Sequence, residues 1–141
     1  MITLVFSVEG EPKGKGRPRF SKVGGFVKTY TDQKTRDYES LISKAARTAM
    51  GETPPMEGAL HMSLLICCSI PKTWSKKKRL QALHGELYPT TKPDLDNICK
   101  IVADSMNGIV YTDDKQIISL KAIKHYGEAP FISICVMGHE Q

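Results

Sequence analysis

No stretch of the 141 residues approaches the run of about 20 apolar residues that a membrane-spanning helix needs. The N-terminal segment MITLVFSV has no basic lead and runs into Glu9 and Glu11, so it is not expected to be a signal peptide. Cysteine is scarce. Cys67, Cys68, Cys99 and Cys135 contain no C-x-x-C pair and no histidine stands at finger spacing from them, so neither a zinc site nor a disulfide framework is indicated. Three of the four lie within apolar segments and read as small buried hydrophobes, and a reducing cytoplasm is the expected home. Internal repeats, low-complexity tracts and long linkers are absent. With 40% hydrophobic and 25% charged residues, the composition excludes a disordered or collagen-like chain and suits one domain with one core.

The apolar periodicity predicts a mixed α+β fold. Residues 2–8 alternate as a strand, 26–30 form a short returning strand, and 59–70 are dense enough in apolar residues for a central strand. A helix capped by Thr31 or Asp32 is expected to run to Met50 and stop at Gly51. A basic helix is expected over 75–83, with Ser75 as its cap. The strongest helical pattern spans Asp94–Asn107, with Ile98, Ile101, Val102, Ser105 and Met106 on its buried stripe. Strands are expected over 117–126 and 131–137, and Gly127–Pro130 has the length of a hairpin connection between them. The class is α+β, a single compact domain with a mixed β-sheet packed by helices.

Charge is unevenly distributed. Eight bases and one acid, Asp32, lie between Lys13 and Arg36, and five bases with no acid lie between Lys72 and Arg79. In residues 13–19, Lys13, Lys15, Arg17 and Arg19 alternate with Gly14, Gly16 and Pro18; in extended backbone this period of two turns the cations to one side. Residues 94–114 are the opposite. Asp94, Asp96, Asp104, Asp113 and Asp114 face a single base, Lys100, a net −4, so the rest of a chain whose total is +5 carries +9.

An acidic island in a basic protein suits metal-assisted phosphodiester cleavage, which needs cations to grip phosphates and carboxylates to hold a hard ion such as magnesium. Taken singly, Asp94 reads as a helix cap, Asp96 as a favourable partner of the helix dipole, and Asp113-Asp114 as turn residues. Lys100 stands four residues from both Asp96 and Asp104, which brings it to the same helical face. The basic segment 13–19 is the first expected DNA-backbone contact. Lys76, Lys77, Lys78 and Arg79 are the second.

Asp94-Leu-Asp-Asn97, then Lys100, then Asp113-Asp114-x-Gln116 before a β-branched run resembles the signature of the RusA family of Holliday junction resolvases, small bacterial and phage endonucleases. The resemblance is specific over about residues 94–118. It implies a homodimer that makes paired symmetric nicks across a four-way DNA junction with Mg2+ or Mn2+, in recombination and repair. It carries the catalytic, metal-holding carboxylates onto Asp94, Asp96 and Asp114 and the motif lysine onto Lys100. Asp113, Asn97 and Gln116 also match and are expected in supporting roles. No membrane and no small-molecule cofactor is expected. Three rival readings are a DNA-binding module without catalysis, a less selective nuclease of flaps or forks, and a small-molecule phosphohydrolase; the last leaves the +9 remainder unexplained.

Overall fold

The structure, a computed structural model, describes residues 2–16, 19–30 and 32–139, with 19–21, 23 and 26–30 described as backbone alone. In chain order the strands are β1 (Ile2–Glu9), β2 (Arg19–Val23), β3 (Phe26–Tyr30), β4 (Leu60–Ser69), β5 (Ile117–Gly127) and β6 (Phe131–Gly138). The helices are α1 (Gln33–Met50), α2 (Lys76–Leu83) and α3 (Leu95–Ser105), and a 3-10 turn spans Asp114–Gln116. Strands β2 and β3 form a separate antiparallel ribbon.

The main sheet is mixed, in the order β1-β6-β4-β5. Strand β6 runs antiparallel to both neighbours, with Val136 opposite Leu4 on β1 and Ile132 opposite Ile66 on β4. Strands β4 and β5 are parallel, with Leu64 opposite Ala122, so the chain between them makes a crossover that contains α2 and α3. The expected C-terminal hairpin does not form, because β4 lies between β5 and β6. Burial explains the order. Ile132, Ile134 and Val136 on β6 and Leu60, Met62, Leu64 and Ile66 on β4 are buried and favour central places, whereas β5 carries Lys121 and Lys124 and takes the edge.

Helix α1 starts where the Asp32 carboxylate accepts from the Thr35 amide at 2.9 Å, and it ends at Gly51, whose φ of 55° suits glycine. Tyr38, Ile42, Ala46 and Met50 recur every four residues and line its buried face. On α3, the predicted stripe Ile98, Ile101, Val102, Ser105 and Met106 is buried. Ser43 Oγ on α1 donates to the Ser105 carbonyl at 2.8 Å and ties the two helices together. The fully buried Tyr111 donates its hydroxyl to the Ala103 carbonyl at 2.6 Å, which holds the segment after α3 against the helix. Helix α2 is capped by Ser75, and Trp74 just before it packs edge-on against Tyr126 of β5 at 5.2 Å.

Cys67 and Cys68 are buried, Cys99 and Cys135 half-buried, and all four are free. Burial pushes the thiols of Cys67, Cys68 and Cys99 up, which keeps them protonated and inert. Among the described residues no helix is long and apolar enough to cross a membrane.

Candidate active site

The acidic residues gather at the two ends of α3. At its start, Asp94 occupies the N-cap position but its side chain makes no capping hydrogen bond, so the carboxylate stays exposed and available. Asp96, also exposed, stands in the first turn, where the partial positive charge of the helix N-terminus favours an anion. The loop that delivers them is pinned by Lys124 of β5, whose ammonium donates to the Thr91 carbonyl at 2.8 Å and the Pro93 carbonyl at 2.9 Å.

At the other end of α3, Asp114 follows Asp113 in a turn with a dense set of hydrogen bonds. Gln116 accepts at Oε1 from the amides of Thr112 (3.0 Å) and Asp113 (3.2 Å). Its Nε2 donates to the carbonyls of Met56 and Gly58, each at 3.0 Å, and so fastens the turn to the loop before β4. The Asp113 carboxylate accepts from the Lys115 amide at 3.0 Å, and that bond holds its carboxyl below the usual range. Asp114 is pushed the other way, first by burial and then by the neighbouring Asp104 side chain. A long hydrogen bond of 3.5 Å from Asn107 Nδ2 to Asp114 Oδ2 partly opposes that rise.

Asp104 joins this end to the basic residues. Its Oδ2 lies 3.2 Å from Lys100 Nζ and 3.6 Å from Lys15 Nζ, and Lys15 also pairs with Glu39 of α1 at 3.1 Å. The loop carrying Lys15 packs on α3, with the Lys15 amide donating to the Asn97 carbonyl at 2.8 Å. Gly14 makes this approach possible, since a Cβ there would sit 2.7 Å from Asn97 Cβ. Of the four cations expected to face DNA together, Lys15 therefore turns into the acidic site, while Lys13 is exposed. Lys13 lines an open cleft of ≈ 720 Å³ with Lys34 and Lys92 at the start of α1. Arg17 lies outside the described residues, and Arg19 is described by its backbone alone. Lys76, Lys77 and Lys78 are exposed on α2 and Arg79 is half-buried; Lys78 rests over the Trp74 ring at 4.0 Å.

Asp96 and Asp104 are eight residues apart on α3, which is about 12 Å of helix axis. The structure thus brings Asp114 to Asp104 and Lys100, with Asp113 and Gln116 shaping its turn, and leaves Asp94 and Asp96 at the opposite end of the helix. Among the described residues no three His, Cys, Asp or Glu side chains are grouped to hold a metal ion. The donor chemistry still suits magnesium, which takes one or two carboxylates and completes its shell with water and phosphate oxygens. Sequence reasoning missed Asp104 as a site residue, although its spacing of four from Lys100 was the available signal. No local pattern marks Lys124, whose partners lie more than thirty residues away.

Residues 9–137 match the family described as endodeoxyribonuclease RusA. The chain belongs to that family. Over 138 residues it is also 36% identical to the uncharacterized protein YqaN of Bacillus subtilis (strain 168), with 96% of each chain covered. The RusA match takes in the whole of α3, the Asp113-Asp114 turn and the Lys13–Gly16 loop, so the acidic and basic residues described above all belong to the matched region.

Proposed function

We propose that this RusA-family chain is a metal-dependent endodeoxyribonuclease that resolves four-way (Holliday) DNA junctions by paired symmetric nicks, in recombination and repair in the cytoplasm. The observation that carries the reading is the acidic pair Asp104–Asp114 beside Lys15 and Lys100, in a chain whose remaining surface is strongly basic. The reaction is hydrolysis of a phosphodiester by in-line attack of water. Bound Mg2+ or Mn2+ would supply an activated water and neutralise charge on the phosphate; the residues proposed to hold it are Asp94 with Asp96 at the start of α3 and, as a separate place at the far end of that helix, Asp114. The chain's own part is positioning and electrostatics. Lys100, 63% exposed on its side chain while paired with Asp104, is proposed to meet a non-bridging phosphate oxygen and offset the charge that builds there. Gln116 and Asp113 keep the Asp114 backbone in place, and Lys124 does the same for Asp94. The exposed Lys13, Lys76, Lys77 and Lys78 are the proposed contacts to the DNA backbone, with Arg17, Arg19 and Arg79.

A homodimer accords with a substrate that offers two symmetry-related strands. The sheet face turned away from the core supports it, since Val5, Leu65 and Ile123 there are exposed at 62%, 42% and 43%. Solution mass measurement checks the dimer. The activity is tested by nicking of a synthetic four-way junction, a fork, a flap and linear duplex with Mg2+ or Mn2+, in wild type and Asp96→Asn. Symmetric, metal-dependent cuts in the junction alone, lost in the variant, are expected. Equal cutting of forks and flaps would indicate a less selective nuclease, and junction binding without any cutting would indicate a passive DNA-binding module.

A further inference from the structure

We propose that Asp104 is a positioning residue of the nuclease site, holding Lys100 and Lys15 in place beside Asp114. This rests on the nuclease reading above. Asp104 sits in the last turn of α3, where the partial negative charge of the helix C-terminus disfavours an acid and no base stands in that turn to offset it. Local helix physics would favour lysine, arginine or a neutral residue at this position.

Two lysines from different parts of the chain balance that charge. Lys100 reaches Asp104 from one turn earlier on α3, at 3.2 Å. Lys15 reaches it from the loop before β2, at 3.6 Å, and is braced on its other side by Glu39 of α1 at 3.1 Å. Both lysines converge on the same atom, Asp104 Oδ2. Both ammonium groups are thereby held next to the proposed catalytic carboxylate, where a phosphate would need them. A lysine freed from this acceptor samples many rotamers, and misplacement of a charge-stabilising group by about 1 Å costs on the order of 100-fold in rate.

The test uses the full-length chain on a four-way junction with Mg2+, with junction affinity measured separately by omitting the metal. Asp104→Asn keeps the shape and removes the charge, and it is expected to lower kcat roughly 10- to 100-fold while changing junction affinity by less than about threefold. Asp104→Glu, which keeps the charge, is expected to recover much of the rate. The double variant of Asp104→Asn with Lys100→Met is expected to lose no more than the worse single variant, because the two residues act as one unit. Melting curves of each variant confirm folding. If wild type cuts and Asp104→Asn cuts within about twofold of it, or if the double-variant losses multiply, the Asp104 assignment is overturned while the nuclease reading stands. If wild type cuts no branched DNA with either metal, both are overturned.

Discussion

Replacing Gly14 by alanine tests whether the basic loop is docked on α3 as a fixed part of the site. The added Cβ would lie 2.7 Å from Asn97 Cβ and 3.4 Å from Pro93 Cβ, against the roughly 3.5–4.0 Å at which carbon atoms pack without repulsion. Asn97 Cβ is fixed to the α3 backbone and cannot swing aside, so the loop must retreat by about 1 Å. That retreat stretches the 2.8 Å bond from the Lys15 amide to the Asn97 carbonyl beyond hydrogen-bond length and draws Lys15 Nζ away from its 3.6 Å contact with Asp104. Forcing one extra carbon into a closed contact costs about 1–3 kcal/mol. At roughly 3 °C per kcal/mol for a chain of this size, Gly14→Ala is expected to melt about 3–9 °C lower than wild type. Amide hydrogen exchange at Lys15 is expected to accelerate, whether the loop shifts or lifts off altogether. Lys13→Ala, at an exposed neighbouring position, is the control and is expected to stay within about 0.5 kcal/mol of wild type. Unchanged melting together with unchanged Lys15 protection in Gly14→Ala would refute the docking.

The two carboxylates of the turn pull stability in opposite directions with pH. Asp114 is raised, so the folded chain holds its proton more tightly than the unfolded chain; its contribution is fully present below the ordinary carboxylate range and is lost as pH rises through the raised value. Asp113 is lowered, so its contribution is present above the ordinary range and is lost as pH falls through the lowered value. Asp114→Asn is therefore expected to melt higher than wild type at about pH 7.5, with the gap closing in acid, while cutting no junction; a lower melting point at that pH would contradict the assignment. Gln116→Ala removes four hydrogen bonds that fasten the Asp113-Asp114 turn, and is expected to cost about 2 kcal/mol, or roughly 6 °C, and to slow cleavage. Wild-type melting in that variant would show that the turn is held by other contacts.

The elements were legible where the signal is local. Asp32 and Ser75 are helix caps because a short polar side chain reaches an amide three residues on, and such a contact is written within four residues of sequence. The α3 stripe was readable for the same reason, since its period of 3.6 repeats over three turns. The order of the strands was not. The short 127–130 link suggested a β5–β6 hairpin, yet β4 outcompeted β5 for the place beside β6 by bringing a longer apolar face from a distant part of the chain. In the site, the D-L-D-N and D-D-x-Q patterns singled out an acidic window, but they gave no sign that Asp114 would stand by Asp104 and that Asp94 and Asp96 would stand at the far end of the helix.

By itself, then, the sequence determined the helices, most of the strands, the family and the segregation of acid from base. Tertiary structure alone decided that Lys15 leaves the basic strip to join the acids, that Lys124 clamps the loop before α3, and that Asp104 is the shared acceptor of two lysines. Capping and periodicity depend on atoms a few residues apart, so they survive in a one-dimensional reading. Ion pairs and strand neighbours depend on which distant surfaces bury the most apolar area together, and that competition is settled only when the whole chain has folded.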